Sequence, residues 1–175
     1  FVREGVELSS TRCLVLGDEL RDYTIESATR SVVPYTDSGE LVPINQTPGL
    51  RRYLVRYKQI LGTRATFSRG TYFSEGLPWW KWHQIRMDRG IGFTITFAEV
   101  ATHNHFVLDR GGKVFNRTAP VIKLPANASL DDHLDLLGLL NSSTLEFWCR
   151  QTFMAKGGDK KGDGGRSSAE AWSDR

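Results

Sequence analysis

The side chains best suited to chemistry concentrate between Trp79 and Pro125. Trp79, Trp80 and Trp82 offer flat π-faces on which an unstacked base could rest, an interaction worth about 1–3 kcal/mol per base. Buried tryptophan is also a common cap for a sheet end, and that reading puts two rings in the core and one over a loop. His103 and His105 share a face if the segment is a strand, so they could begin a zinc site. No cysteine or further histidine stands at ligand spacing, which leaves them a structural or DNA-contacting role. The letters His103-Asn104-His105 do not make the nuclease motif of that spelling, whose residues are spread over a long stretch. Asp109-Arg110-Gly111-Gly112 lies between short apolar runs, His105 to Leu108 and Val114 to Phe115. Because glycine accepts positive φ without steric cost, this pattern predicts a hairpin whose tip projects Arg110 and Lys113.

Strands and a few helices must hold these residues in place. From Ile91 to Val100, Ile91, Phe93, Ile95 and Phe97 alternate with Gly92, Thr94, Thr96 and Ala98, the period-two signature of a half-buried strand. A strand over Ala119 to Leu124 is bracketed by Pro120 and Pro125, which favours an edge. Residues 12–17, Thr24 to Glu26 and Val32 to Tyr35 read as further short strands, with a turn at Asp37-Ser38-Gly39. Thr47-Pro48 opens a helix with a hydroxyl cap and proline in the first turn. Its stripe is Leu50, Tyr53, Leu54, Tyr57, Ile60 and Leu61, and Gly62 stops it. Arg51, Arg52, Arg56 and Lys58 fall off that stripe, more in keeping with a solvated face than a phosphate-facing one. Ser129 caps a second helix, Leu130 to Leu140, apolar on most sides and therefore expected to be largely buried. After the elbow Asn141-Ser142-Ser143, either serine could cap a third helix running to about Phe153, with Leu145, Trp148, Cys149 and Thr152 on its stripe. The expected class is α+β: a small mixed or antiparallel sheet with a hairpin, packed by about three helices.

At 175 residues the chain suits one domain, which buries roughly 70% of its unfolded surface and needs no staples. The expected division is a domain over 1–155 and a Gly/Lys-rich tail over 156–175, too poor in apolar residues to build a core. That tail is either a loop that lays amides and Lys156, Lys160 and Lys161 along phosphates or a plain linker. Cys13 and Cys149 are the only cysteines, which fits a reducing compartment and predicts a cytoplasmic location. No apolar run is long enough for a signal peptide or a membrane span, and the start at Phe1 reads as a cut inside a longer protein. Without a signal peptide, the Asn-x-Ser/Thr triplets at Asn45, Asn116, Asn127 and Asn141 carry no weight. The net charge is +3; residues 1–60 hold eight basic and eight acidic side chains, residues 61–125 nine and four, and residues 126–175 six and eight. The basic excess sits in the middle, as expected for a polyanionic partner.

No glycine-rich dinucleotide fingerprint, Walker loop, nucleophile elbow, Asn-Pro-Pro-Tyr or recognisably spaced carboxylate pair is present, so the motifs point to binding and not to catalysis. PWWKWHQI (78–85), ATHNHFVLDRGGKVFNRTAPVIKLP (101–125) and DDHLDLLGLLNSSTLEFWCRQ (131–151) resemble the C-terminal part of PglX-type adenine-specific DNA methyltransferases of BREX phage-exclusion systems. The resemblance extends to GDELRDYTIE (17–26) and GLRRYLVRYKQILGTR (49–64), so it covers nearly the whole chain. The long middle run is specific, whereas LLGLLNSS is shared more widely among target-recognition domains of type I and type IIG methyltransferases.

In that family an upstream Rossmann-like domain binds S-adenosylmethionine and methylates adenine N6 after the base leaves the duplex. For this chain the resemblance implies a fragment carrying the target-recognition portion, with no cofactor of its own. Ala171-Trp172-Ser173-Asp174-Arg175 matches the start of the family's continuation. Implied partners are duplex DNA, an upstream methyltransferase domain and other defence proteins, with no membrane. On this reading Arg110, Lys113, Arg117, Lys156, Lys160 and Lys161 contact phosphates. His103, Asn104, His105 and Trp82 read or stack bases, since asparagine pairs bidentately with adenine in the major groove. The alternatives are a module docking a partner of a defence complex, an independent enzyme such as a nuclease, and an inert truncated product.

Overall fold

Short apolar runs broken by glycine, proline and aspartate yield short elements. The computed structural model describes residues 4–21, 23–27, 29–83, 92–155 and 172–173. Its strands are β1 (Thr11–Val15), β2 (Leu20–Arg21), β3 (Thr24–Ile25), β4 (Arg30–Val32), β5 (Thr94–Thr96), β6 (Val100–Ala101), β7 (Val107–Asp109), β8 (Lys113–Phe115), β9 (Val121–Ile122), β10 (Met154–Ala155) and β11 (Trp172–Ser173). The helices are α1 (Pro48–Val55), α2 (Lys58–Gly62), α3 (Leu130–Leu140) and α4 (Ser143–Thr152). The class is α+β, as the sequence predicts, with sheets of two or three strands among the described residues. Contacts gather into two units, Phe1–Cys13 with Arg30–Asp88, and Leu14–Thr29 with Arg89–Arg175.

In the first unit, β1 pairs antiparallel with β4 in the register Thr11↔Val32. The turn after Pro34 is closed by a Tyr35↔Leu41 bridge, as Asp37-Ser38-Gly39 predicts. Helix α1 starts at Pro48, but Thr47 makes no side-chain cap. The acceptor is Glu7, whose two carboxylate oxygens take the Gly49 and Leu50 N–H groups, both at 2.8 Å. Two otherwise orphaned helix donors are thereby satisfied from a distant part of the chain. Gly49 must be glycine, because a Cβ there would overlap the Gly5 carbonyl. The single helix expected over 48–61 breaks at Arg56 and Tyr57, and the stripe loses phase there. Leu50 and Leu54 are buried with Ile44, while Ile60 is exposed.

The second unit is built around β5, which pairs antiparallel with β7 on one side and β9 on the other. The expected strand over 91–100 is regular only over Thr94–Thr96, and Ile91 lies outside the described residues. Beyond it, Phe97 and Glu99 N–H still reach the Pro120 and Thr118 carbonyls, in an irregular ladder. Thr94, Ile95 and Thr96 are all buried, so this strand is covered on both faces and not half-buried. Strand β9 takes the edge its flanking prolines predict. The hairpin at 109–112 does not form as a ladder. Gly111 and Gly112 do take positive φ, but β7 pairs with β5 while β8 pairs with β1, where Asn116 N–H donates to the Val15 carbonyl. Val15, Leu20, Val107 and Ala119 form a core between these strands. Strand β11 pairs with β10 and β6.

Ser129 caps α3 as read from the sequence, and Asp132 completes a reciprocal capping box. The Ser129 N–H and hydroxyl hold the Asp132 carboxyl below its ordinary range. Ser142 caps α4 by accepting from Leu145 N–H. Contrary to expectation α3 is not largely buried. A helix buries one stripe against its neighbours, and leucines placed all round it must leave some outside. Leu134 and Leu139 are exposed, as are Phe147 and Trp148 on α4, while His133 and Cys149 point inward.

Replacing Glu7 by alanine should destabilise the first unit by about 1–2 kcal/mol, a normal loss for a helix cap, whereas Thr47→Ala should change little. Partial burial pushes the Glu7 carboxyl up, but backbone N–H donors, Gly49 and Leu50 among them, and the Arg52 charge outweigh it, so its pKa is lowered. Stability from this contact is therefore complete above the ordinary glutamate range and is lost as pH falls through the depressed value. Thermal melts across acid pH should show the gap between wild type and Glu7→Ala closing as the pH drops.

Candidate nucleic-acid interface

Arg110 stands exposed on the turn after β7, its guanidinium 6.0 Å from the centre of the Phe93 ring. The turn is held from inside by Asp109, which is 1% exposed. One Asp109 oxygen accepts the Gly111 N–H at 2.9 Å and the other meets the Lys113 ammonium. Lys113, expected to reach outward with Arg110, is thus tied to a buried acid and is only 28% exposed. Arg117, on the turn after β8, is 88% exposed and lies 3.9 Å from Glu99, a loose contact that leaves most of its donors outward. Of the expected phosphate-contacting residues in the described chain, Arg110 and Arg117 are the exposed ones. Lys156, Lys160 and Lys161 lie outside the described residues.

The 102–106 segment is built into the fold. Asn104 is 4% exposed and donates its amide to the Leu140 carbonyl at 2.7 Å. Next to it, Asn141 bonds twice to Phe106: its Oδ1 accepts the Phe106 N–H at 3.0 Å and its Nδ2 donates to the Phe106 carbonyl at 2.9 Å. Arg150 adds a donor to the Thr102 carbonyl at 2.8 Å. The segment is therefore the strap that ties the α3–α4 elbow to the strands. His105 is buried 6.2 Å from the Tyr23 ring, and His103 is exposed with its ring 4.0 Å from that of His105. No group of three His, Cys, Asp or Glu able to hold a metal occurs among the described residues.

In the first unit the tryptophans divide much as the packing argument predicts. Trp79 and Trp80 meet edge to face at 5.6 Å and pack on the Ile44, Leu50 and Leu54 cluster, with the Trp80 indole donating to the Val42 carbonyl. Trp82 is half-buried, edge-on to Tyr35 at 6.0 Å, and its backbone N–H donates to the Tyr35 hydroxyl. Burial pushes the Tyr35 phenol up, so it stays a neutral hydrogen-bonding group. Burial, aided by the Glu146 charge, likewise pushes up the Cys149 thiol, which is the opposite of an activated nucleophile. Sequence reasoning missed Asp109, Asn141 and Glu7. An acid placed four residues before a lysine across a Gly-Gly turn is a signal that could have disclosed the first.

In class the described chain is an α+β assembly of small sheets and capped helices without a closed barrel. Over its whole length it is similar to the "Adenine-specific methyltransferase PglX" of Streptomyces coelicolor, 51% identical over 177 aligned positions that cover 100% of this chain and 15% of that protein. The chain therefore matches a segment of a PglX-type methyltransferase, and the resemblance carried by its motifs holds from end to end. No family model matches it. A methyltransferase activity implies S-adenosylmethionine as the methyl donor in the full-length relative. No strand among the described residues leads through a glycine-rich turn into a helix, and the N-terminus of α1 is already closed by Glu7.

Lys113→Ala should destabilise the chain by about 2–3 kcal/mol, near or below the low end for stranding a buried charge, because Lys113 is itself partly exposed. Arg110→Ala should leave the melting temperature unchanged. Asn141→Ala removes two hydrogen bonds and strands their backbone partners, so a loss of about 2–3 kcal/mol is expected by denaturant titration.

Proposed function

We propose that the chain is the target-recognition portion of a site-specific N6-adenine DNA methyltransferase used in phage defence. It grips duplex DNA while another part of the same polypeptide binds S-adenosylmethionine and transfers the methyl group. The observation that carries this reading is 51% identity, over the whole length of the chain, to a segment of an adenine-specific methyltransferase. The basic surplus of the middle stretch and the outward Arg110 and Arg117 support a phosphate-gripping role. With the Asn104 amide committed to Leu140 and His105 buried, His103 is the exposed base-reading candidate of the 103–105 segment.

A second reading has its own support. Leu134, Leu139, Phe147 and Trp148 are exposed on α3 and α4, and exposed aromatic and aliphatic side chains are the usual anchors of a protein interface. On that reading the helix pair docks the remainder of a PglX-type protein or a partner from the same defence complex.

Titrating the folded chain with duplex DNA over a salt series separates the two. DNA recognition predicts that log K falls with log salt at about −0.9 per phosphate contact, with Arg110→Ala and Arg117→Ala each reducing the slope by about one. A folded sample that binds no duplex at low salt would overturn the DNA reading and leave docking.

A further inference from the structure

Phe67 is 77% exposed, yet its position is tightly determined. It stands at the tip of a turn closed by an Ala65↔Thr71 bridge, with Thr66 N–H donating to the Gly70 carbonyl at 3.0 Å and Arg69 N–H returning to the Thr66 carbonyl at 3.2 Å. The Thr66 hydroxyl is bonded to Glu75, which also fills the space a Cβ at Gly70 would need. Arg69 takes φ of 64°, a left-handed conformation that costs an ordinary residue about 1–2 kcal/mol. Such strain persists only where the surroundings over-determine it.

One face of the ring is occupied. His83 lies 4.8 Å away, centre to centre, with the planes 31° apart. His83 is held in turn by the hydroxyl of buried Tyr72 at 3.3 Å. The Arg64 guanidinium sits 4.4 Å over the Tyr72 ring and donates to the Leu61, Trp79 and Lys81 carbonyls. The result is a buttressed shelf with a single open aromatic face, and Arg69, two residues further along the same turn, is exposed. The acid nearest in sequence, Glu75, is already engaged by Thr66.

We infer that Phe67 is a stacking residue for an unstacked nucleobase, with the exposed Arg69 of the same turn available for the adjoining phosphate. The inference rests on the DNA reading proposed above and adds the place where a base is held. One open ring face accepts one planar group, and a base inside a duplex has both faces covered, so the guest must be an end, bulged or extruded base. A protein partner fits less well. One phenylalanine buries at most about 250 Å², against about 800 Å² per side in a stable protein interface. The exposed Arg69 on the same turn also matches a phosphodiester better than an apolar surface.

The test is binding of the whole chain to two duplexes that differ by a single bulged, fluorescent adenine analogue. Wild type should prefer the bulged duplex by about ten-fold, the range of one base–aromatic stack, and should change the analogue's fluorescence. Phe67→Ala should lose both effects while keeping its melting temperature and its affinity for the fully paired duplex, and Phe67→Tyr should retain them. Equal preference in wild type and Phe67→Ala would overturn the inference and leave DNA recognition standing. No binding of either duplex by wild type at low salt would remove both.

Discussion

The amide of Asn141 decides how the second unit is assembled. Strand β7 and helix α3 both need partners for backbone groups left at their ends, and this side chain is shaped to supply a donor and an acceptor at once. By bonding to both the N–H and the carbonyl of Phe106 it acts like one more residue of a β-ladder. Asn104 returns the gesture by satisfying the Leu140 carbonyl at the end of α3. The polar elbow between the helices is thus a fastening point, and it sets where α4 begins and which way the α3–α4 pair is presented.

The same logic governs the cations. Lys and Arg outnumber Asp and Glu, but several of these cations are spent on the fold. Lys113 neutralises buried Asp109, Arg64 gathers three carbonyls over Tyr72, and Arg150 binds Glu146 and the Thr102 carbonyl. Other cations among the described residues stay exposed, Arg110 and Arg117 in the second unit and Arg69 and Lys81 in the first among them. Net charge overstates how many cations are open to any outside partner, because an internal partner such as a carboxylate or a row of carbonyls satisfies a guanidinium or ammonium as well as a phosphate does.

Sequence by itself determined the elements whose causes are local. Ser129 and Ser142 cap the helices that follow them because a hydroxyl reaches the nearby N–H groups without help from elsewhere. Gly111 and Gly112 turn with positive φ, and the prolines around β9 keep it on an edge. The resemblance to PglX-type methyltransferases was equally legible, since it resides in the order of the residues. Tertiary structure alone decided the pairings made at a distance. Glu7 caps α1 in place of Thr47, β7 and β8 part company after an apparent hairpin, β5 is buried on both faces, and Asn104 faces the end of α3 instead of solvent. The physical reason is common to all four. A backbone donor or a buried strand takes whichever partner the packed chain brings within about 3 Å, and a reading by local spacing cannot know which distant residue will arrive there.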